Sequence, residues 1–123
     1  GIPDFLRHCR EKGIRLGIAT SNSRELVENV AAVHNLREYF TCIMTGSEVL
    51  RGKPNPDIYL AVAHGLGVPA GRCLVFEDIV AGILAGKNAG MRVCAVEDEY
   101  SADSRDRKRE LADYYIDDYV GLF

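Results

Sequence analysis

Cys73 to Gly90 reads CLVFEDIVAGILAGKNAG. Its first four residues, Cys73, Leu74, Val75 and Phe76, are apolar without interruption, which predicts a short buried strand. Two carboxylates, Glu77 and Asp78, stand where that strand runs out. From Ile79 the residues turn small and apolar, through Ala81, Gly82, Ile83, Leu84, Ala85 and Ala89, as in a closely packed helix, and Gly90 is placed to end it. The acid pair is therefore expected on a strand-to-helix loop, at the edge where open α/β sheets bind ligands. Adjacent carboxylates repel one another. A hard cation such as Mg²⁺, which takes one or two carboxylates and keeps several waters, is one reason to find them together. Capping of the following helix is the other.

Outward from this stretch, strand and helix patterns alternate. Ile2 to Lys12 carries a helical apolar stripe (Ile2, Phe5, Leu6, Cys9), with Pro3 in its first turn and Gly13 at its end. Ile14 to Ala19 predicts a buried strand that runs into Thr20, Ser21, Asn22 and Ser23, and Arg24 to Asn35 an amphipathic helix through Leu26, Val27, Val30 and Val33. Cys42 to Thr45 is a further short apolar strand. After the loop GSEVLRGKPNPD, Asn55 is placed to cap a helix that begins at Pro56 and is stopped by Gly65 and Gly67. Arg92 to Val96 predicts the strand after Gly90. Glu97 to Glu110 is charged and aperiodic, and its basic block Arg105 to Arg109 reads as a solvated face; Ala112 to Phe123 returns to order, with Tyr115, Ile116, Tyr119 and Leu122 available to pack. Strands alternating with crossover helices predict an α/β fold, a Rossmann-like parallel sheet with helices on both faces.

The totals narrow the functional classes. A chain of 123 residues, 47% hydrophobic and 27% charged, suits one globular domain. A net charge of −3 offers no basic field, so nucleic acid and anionic membrane are excluded as expected partners. Cys9, Cys42, Cys73 and Cys94 are widely separated and form no CxxC pair; they read as reduced residues of a cytoplasmic protein.

Three strand ends are expected to converge on one edge of the sheet. The first brings Thr20, Ser21 and Asn22, hydroxyls and backbone N–H groups at a helix start, a ready anion site. The loop after Cys42 to Thr45 brings Lys53, between Gly52 and Pro54. The last brings Glu77 and Asp78. An anion cradle, a cation and a metal-type acid pair are the parts that phosphoryl chemistry needs. Each part also has a plainer reading: an N-cap sequence, a surface lysine, and solvated loop acids. The glycines around Lys53 do not make a P-loop, because Pro54 stands where Ser or Thr is required, and no GxGxxG follows the first strand. His8, His34 and His64 fall on predicted helices, and Asp57 in the first turn of one.

Taken in order, GIATSNS, GKPNPDIY and VFEDIVAGILAGKNAGM resemble three consecutive motifs of the haloacid dehalogenase superfamily, in its β-phosphoglucomutase-like phosphatase branch. The resemblance covers nearly the whole chain. It implies that Thr20 binds the transferring phosphoryl group, that Lys53 is the motif lysine, that Glu77 and Asp78 hold Mg²⁺, and that Ser21 and Asn22 line the pocket for a small phosphorylated metabolite. Two departures stand out. Ile79 occupies the place where the family usually has Ser. The family's nucleophile lies in an Asp-x-Asp motif on a central first strand, followed by an inserted cap domain, and this sequence contains no such strand. Residues 1 to 123 are therefore expected to be the C-terminal part of a core domain, incomplete at its N-terminal strand and without its cap, requiring an N-terminal segment or self-association to complete the sheet. The activity implied is that of a Mg²⁺-dependent phosphatase or sugar phosphomutase acting through an aspartyl-phosphate; the chain alone would not turn over. The alternative is a non-catalytic phosphate-binding remnant or a partner-dependent fragment. A signalling receiver domain is excluded by order, since Lys53 and Pro54 precede the acids here and follow them there.

Overall fold

A computed structural model describes residues 2–33, 37–98 and 103–120. The helices are α1 (Ile2–Glu11), α2 (Arg24–Val33), α3 (Asp57–Leu66), α4 (Val80–Asn88) and α5 (Arg105–Leu111). The strands are β1 (Gly17–Thr20), β2 (Cys42–Thr45), β3 (Leu74–Glu77), β4 (Arg92–Val96) and β5 (Tyr114–Ile116). The fold is α/β with parallel pairing throughout, as expected. β1 pairs with β2 from Gly17 opposite Cys42 to Thr20 opposite Thr45, and β3, β4 and β5 pair in that order.

The described strands form two sheets rather than one. Between them lies a groove of about 1050 Å³, lined by Gly17 to Ala19 of β1, by Leu74 to Phe76 of β3 and by Phe5, Leu6 and Cys9 of α1. This corrects the expectation that the strands at Ile14 and Cys73 are buried. β1 starts at Gly17, none of its four residues is fully buried, and Leu74 is 49% exposed. Both strands present an edge to the groove instead of to a neighbouring strand, so the apolar run that marks a central strand here lines a cleft.

The core lies under α3 and α4, where Ile58, Tyr59, Ala63, Val75, Ile83, Met91 and Val93 pack together. α4 approaches the sheet closely because its inward positions are small: a Cβ on Gly86 would lie 2.6 Å from Val93 Cγ2. The helix ends as the sequence implies, with Gly90 at φ +80° and the Met91 N–H donating to Gly86 O at 3.1 Å. Across the groove, the rings of Phe5, Phe76 and Tyr119 meet pairwise with centroids 5.3 Å apart, and tie α1 and the chain end to β3.

Three further expectations are corrected. Asn55 does not cap α3; Pro56 holds that position, and the Asn55 side chain donates to Gly52 O at 3.1 Å, tightening its own loop. The residues between Arg105 and Arg109 form α5, and they are not a uniformly solvated face. Lys108 is fully buried and donates to Val96 O, at the end of β4, at 3.0 Å, with α5 packed beside α4. Beside it, Glu97 accepts two bonds from Arg105, at 2.7 and 2.9 Å, and one from the Tyr115 hydroxyl, which together hold its carboxyl down at about 2. His34, Asn35 and Leu122 lie outside the described residues, and no described helix is long and apolar enough to cross a membrane.

Candidate active site

At the end of β1 the hydroxyls divide the work between them. Ser23 is the cap of α2, its Oγ accepting from the Leu26 N–H at 3.2 Å, while Thr20 Oγ1 accepts from the Asn22 N–H at 3.1 Å. Capping is thus done by Ser23, one position beyond the three residues singled out in the sequence. Thr20, Ser21 and Asn22 form a turn ahead of the cap, with Ser21 and Asn22 exposed.

Lys53 reaches the gap between the two sheets. Its Nζ donates to Glu77 Oε2 at 2.8 Å and lies 3.4 Å from Ala19 O, and it sits 5.1 Å from the centroid of the Tyr59 ring. The loop that carries it is braced on both sides, by Arg51 on Asp57 at 2.9 Å and by Asn88 Nδ2 donating to Pro54 O at 3.0 Å. The Lys53–Pro54 peptide is cis.

Glu77 closes β3 and turns inward. Lys53 and Glu77 are each only 10% exposed at the side chain, so the pair is desolvated. The Tyr59 hydroxyl donates to the same Oε2 at 2.5 Å, and the Asp78 N–H donates to Oε1 at 3.1 Å. Burial works to raise the Glu77 pKa, but the Lys53 hydrogen bond and charge, with Tyr59, outweigh it and hold the carboxyl below the usual range. Tyr59 moves the opposite way, pushed up by its own burial and then by the Glu77 charge. Asp78 is exposed, and partial burial together with the Glu77 carboxylate raises its pKa. The side chain of Glu77 lies flat on α4: a Cβ built on Gly82 would stand 2.0 Å from Glu77 Cδ.

The structure thus brings Lys53, Glu77 and Asp78 together, beside the carbonyl that precedes Thr20. The Thr20, Ser21 and Asn22 side chains make no described contact with the acid pair; they occupy the neighbouring strand end. Tyr59 and Gly82 are the residues that sequence reasoning missed. Both lie inside the quoted motifs, but their part depends on contacts 18 residues away and on a close approach between a strand end and the next helix. Two carboxylates stand beside one lysine, and Asp78 is raised first by burial and then by the Glu77 hydrogen bond and charge. This donor set fits Mg²⁺, which takes few carboxylates and fills its octahedron with water and substrate oxygens. Among the described residues no group of three His, Cys, Asp or Glu converges on one point.

Ile79 stands at the N-cap of α4 in extended backbone, with no side-chain bond to the helix. Serine in that position could accept an N–H of the first turn. Ile79→Ser is expected to stabilise the protein by about 1 kcal/mol, seen as a rise of a few degrees in the thermal midpoint. An unchanged or lowered midpoint would mean that the cap is not formed.

A family model for haloacid dehalogenase-like hydrolases matches residues 1–96. The chain belongs to the haloacid dehalogenase-like hydrolases. Among its relatives, the bifunctional riboflavin kinase/FMN phosphatase of Arabidopsis thaliana is 39% identical over 97 residues, 78% of this chain and 26% of the plant protein. The crystal structure of CbbY from Rhodobacter sphaeroides in complex with xylulose 1,5-bisphosphate superimposes with a TM-score of 0.88 at 34% identity, covering 99% of this chain and 54% of CbbY. The β-phosphoglucomutase of Clostridium difficile gives a TM-score of 0.84 at 26% identity, over 100% of this chain and 51% of the mutase. Within the superfamily the chain falls in the β-phosphoglucomutase-like branch. It spans about half the length of most of the relatives it matches.

Proposed function

We propose that residues 1–123 are the C-terminal part of the catalytic core of a Mg²⁺-dependent phosphatase or phosphomutase, which transfers the phosphoryl group of a small metabolite through an aspartyl-phosphate. The observation that carries this reading is the desolvated Lys53–Glu77 pair, with Asp78 beside it, set against the end of β1. The nucleophilic aspartate comes from outside this chain, on an N-terminal segment or a partner polypeptide, entering along the groove between β1 and β3, which are not joined by any strand among the described residues. Substrate selection falls to a cap domain, also outside this chain. The four cysteines are unpaired, which suits the reducing cytoplasm.

In this mechanism each group has one task. The Thr20 hydroxyl and the N–H groups of the following turn bind oxygens of the phosphoryl group, where a helix N-terminus favours negative charge. Ser21 and Asn22, exposed at the mouth, orient the rest of the substrate. Lys53 supplies a fixed positive charge that cannot drift, since Glu77 and Ala19 O hold it. Glu77 and Asp78 would hold Mg²⁺, which when bound supplies further charge neutralisation and alignment of the phosphoryl oxygens.

The test is phosphate release by the full-length gene product from a panel of sugar phosphates, phosphoglycolate and nucleoside monophosphates, with Mg²⁺ and with EDTA. Turnover of at least one ester is expected with Mg²⁺ alone, and Asp78→Asn should lower it at least about a hundredfold. Turnover that survives EDTA or Asp78→Asn would overturn the site assignment. Binding of phosphate esters with no release from any of them would favour the non-catalytic remnant.

A further inference from the structure

The Glu77 carboxylate is fixed from every side that the fold offers. Lys53 Nζ and the Tyr59 hydroxyl both donate to Oε2, at 2.8 and 2.5 Å, and the Asp78 N–H donates to Oε1 at 3.1 Å. Its carboxyl carbon, Oε2 and Cγ lie over Gly82, where any Cβ would stand 2.0–2.2 Å from them. Tyr59 is itself a buried core residue of α3, packed with Val75 and Ile83. Its hydroxyl is therefore placed by the core of the protein and not by the site.

We propose that Tyr59 and Gly82 are positioning residues, which lock the Glu77 carboxylate against Lys53 so that the acid pair offers one arrangement to a divalent cation. This rests on the reading of Glu77 and Asp78 as the Mg²⁺ ligands. A free glutamate side chain has three rotatable bonds, and ordering them on cation binding would weaken that binding. The phenol removes this freedom beforehand, as groups behind metal ligands commonly do. Gly82 acts by leaving room. A methyl group there would overlap the carboxylate itself, which is the movable end of a side chain, so alanine would displace Glu77 from Lys53 and Tyr59 while leaving the helix intact.

Calorimetric titration of Mg²⁺ into the full-length gene product tests the proposal, comparing the native protein with Tyr59→Phe, Gly82→Ala and Asp78→Asn. Tyr59→Phe keeps the ring against Lys53 and removes one hydroxyl. It should weaken Mg²⁺ binding about tenfold with a metal-free thermal midpoint within a few degrees of native, and Gly82→Ala by at least as much, with a lower midpoint because it also separates the buried Lys53–Glu77 pair. Activity lost at low Mg²⁺ should return at high Mg²⁺ with an unchanged KM for the phosphate ester, a rescue that a general loss of structure would not give. Unchanged Mg²⁺ affinity in Tyr59→Phe and Gly82→Ala, with binding abolished by Asp78→Asn, would overturn the positioning role alone. Native affinity in Asp78→Asn would overturn the metal reading and this inference with it. Should Gly82→Ala fail to fold, Tyr59→Phe decides.

Discussion

Lys53→Met is expected to destabilise the full-length protein by about 3–5 kcal/mol and to abolish phosphate release. The size follows from burial: both partners are only 10% exposed, and removing one leaves a desolvated charge without its counterpart. The effect should depend on pH in a definite direction. In the native protein the depressed Glu77 carboxyl contributes stability above the ordinary carboxylate range, and this is lost as the pH falls through the folded pKa. In the methionine variant the lysine no longer opposes burial, so the folded pKa rises above its unfolded value. The variant is then favoured by a protonated Glu77, a contribution present at low pH and lost as the pH rises. The gap between the two proteins should therefore be smallest near about pH 4 and widest near about pH 7. Urea unfolding in EDTA at both values measures it, and a gap that does not change with pH would contradict the assignment of Lys53 as the counter-charge of Glu77.

Ile83→Ala should cost about 2–5 kcal/mol, toward the upper end of that range. Ile83 is fully buried in the cluster with Val75 and Val93, and collapse around the lost atoms is blocked. Gly86 already lets α4 lie so close that a Cβ there would stand 2.6 Å from Val93, and the neighbouring Ala85 and Ala89 have no long side chain to swing into the space. The urea midpoint should fall with little change in slope. A loss below about 1 kcal/mol would show that the helix can settle further onto the sheet than its packing implies.

The sequence made some elements legible to the residue. Cys42 to Thr45 and Arg92 to Val96 are strands with the bounds their apolar runs imply, since each is paired along its length. Lys53, Glu77 and Asp78 were legible because motif order placed them on strand-end loops, and the chain brings those ends together. Where the reading failed, the deciding contact is distant in sequence. Lys108 looks like one cation among several in a charged run, and only the carbonyl of Val96 and the cover of α5 make it a core residue. Apolar runs predicted burial for β1 and Leu74, but burial needs a neighbour, and pattern alone does not say whether one is present. Gly82 reads as one more small helical residue until the path of Glu77 across it is known.

The break between the two sheets also divides the chain by reach. On each side of it, every strand is paired with its successor in the sequence, β1 with β2, and β3 with β4 and then β5. Each half can thus assemble from short loop closures, whose entropy is modest and is offset at once by the contacts they make. A strand joining the halves would be the long-range step, taken last, onto two edges already formed. The gap in the sheet is in this sense also a gap in time. If the strand proposed above fills it, β1 and β3 are until then the edges along which copies of the chain would pair with each other, and the speed of that step would set how long they are exposed.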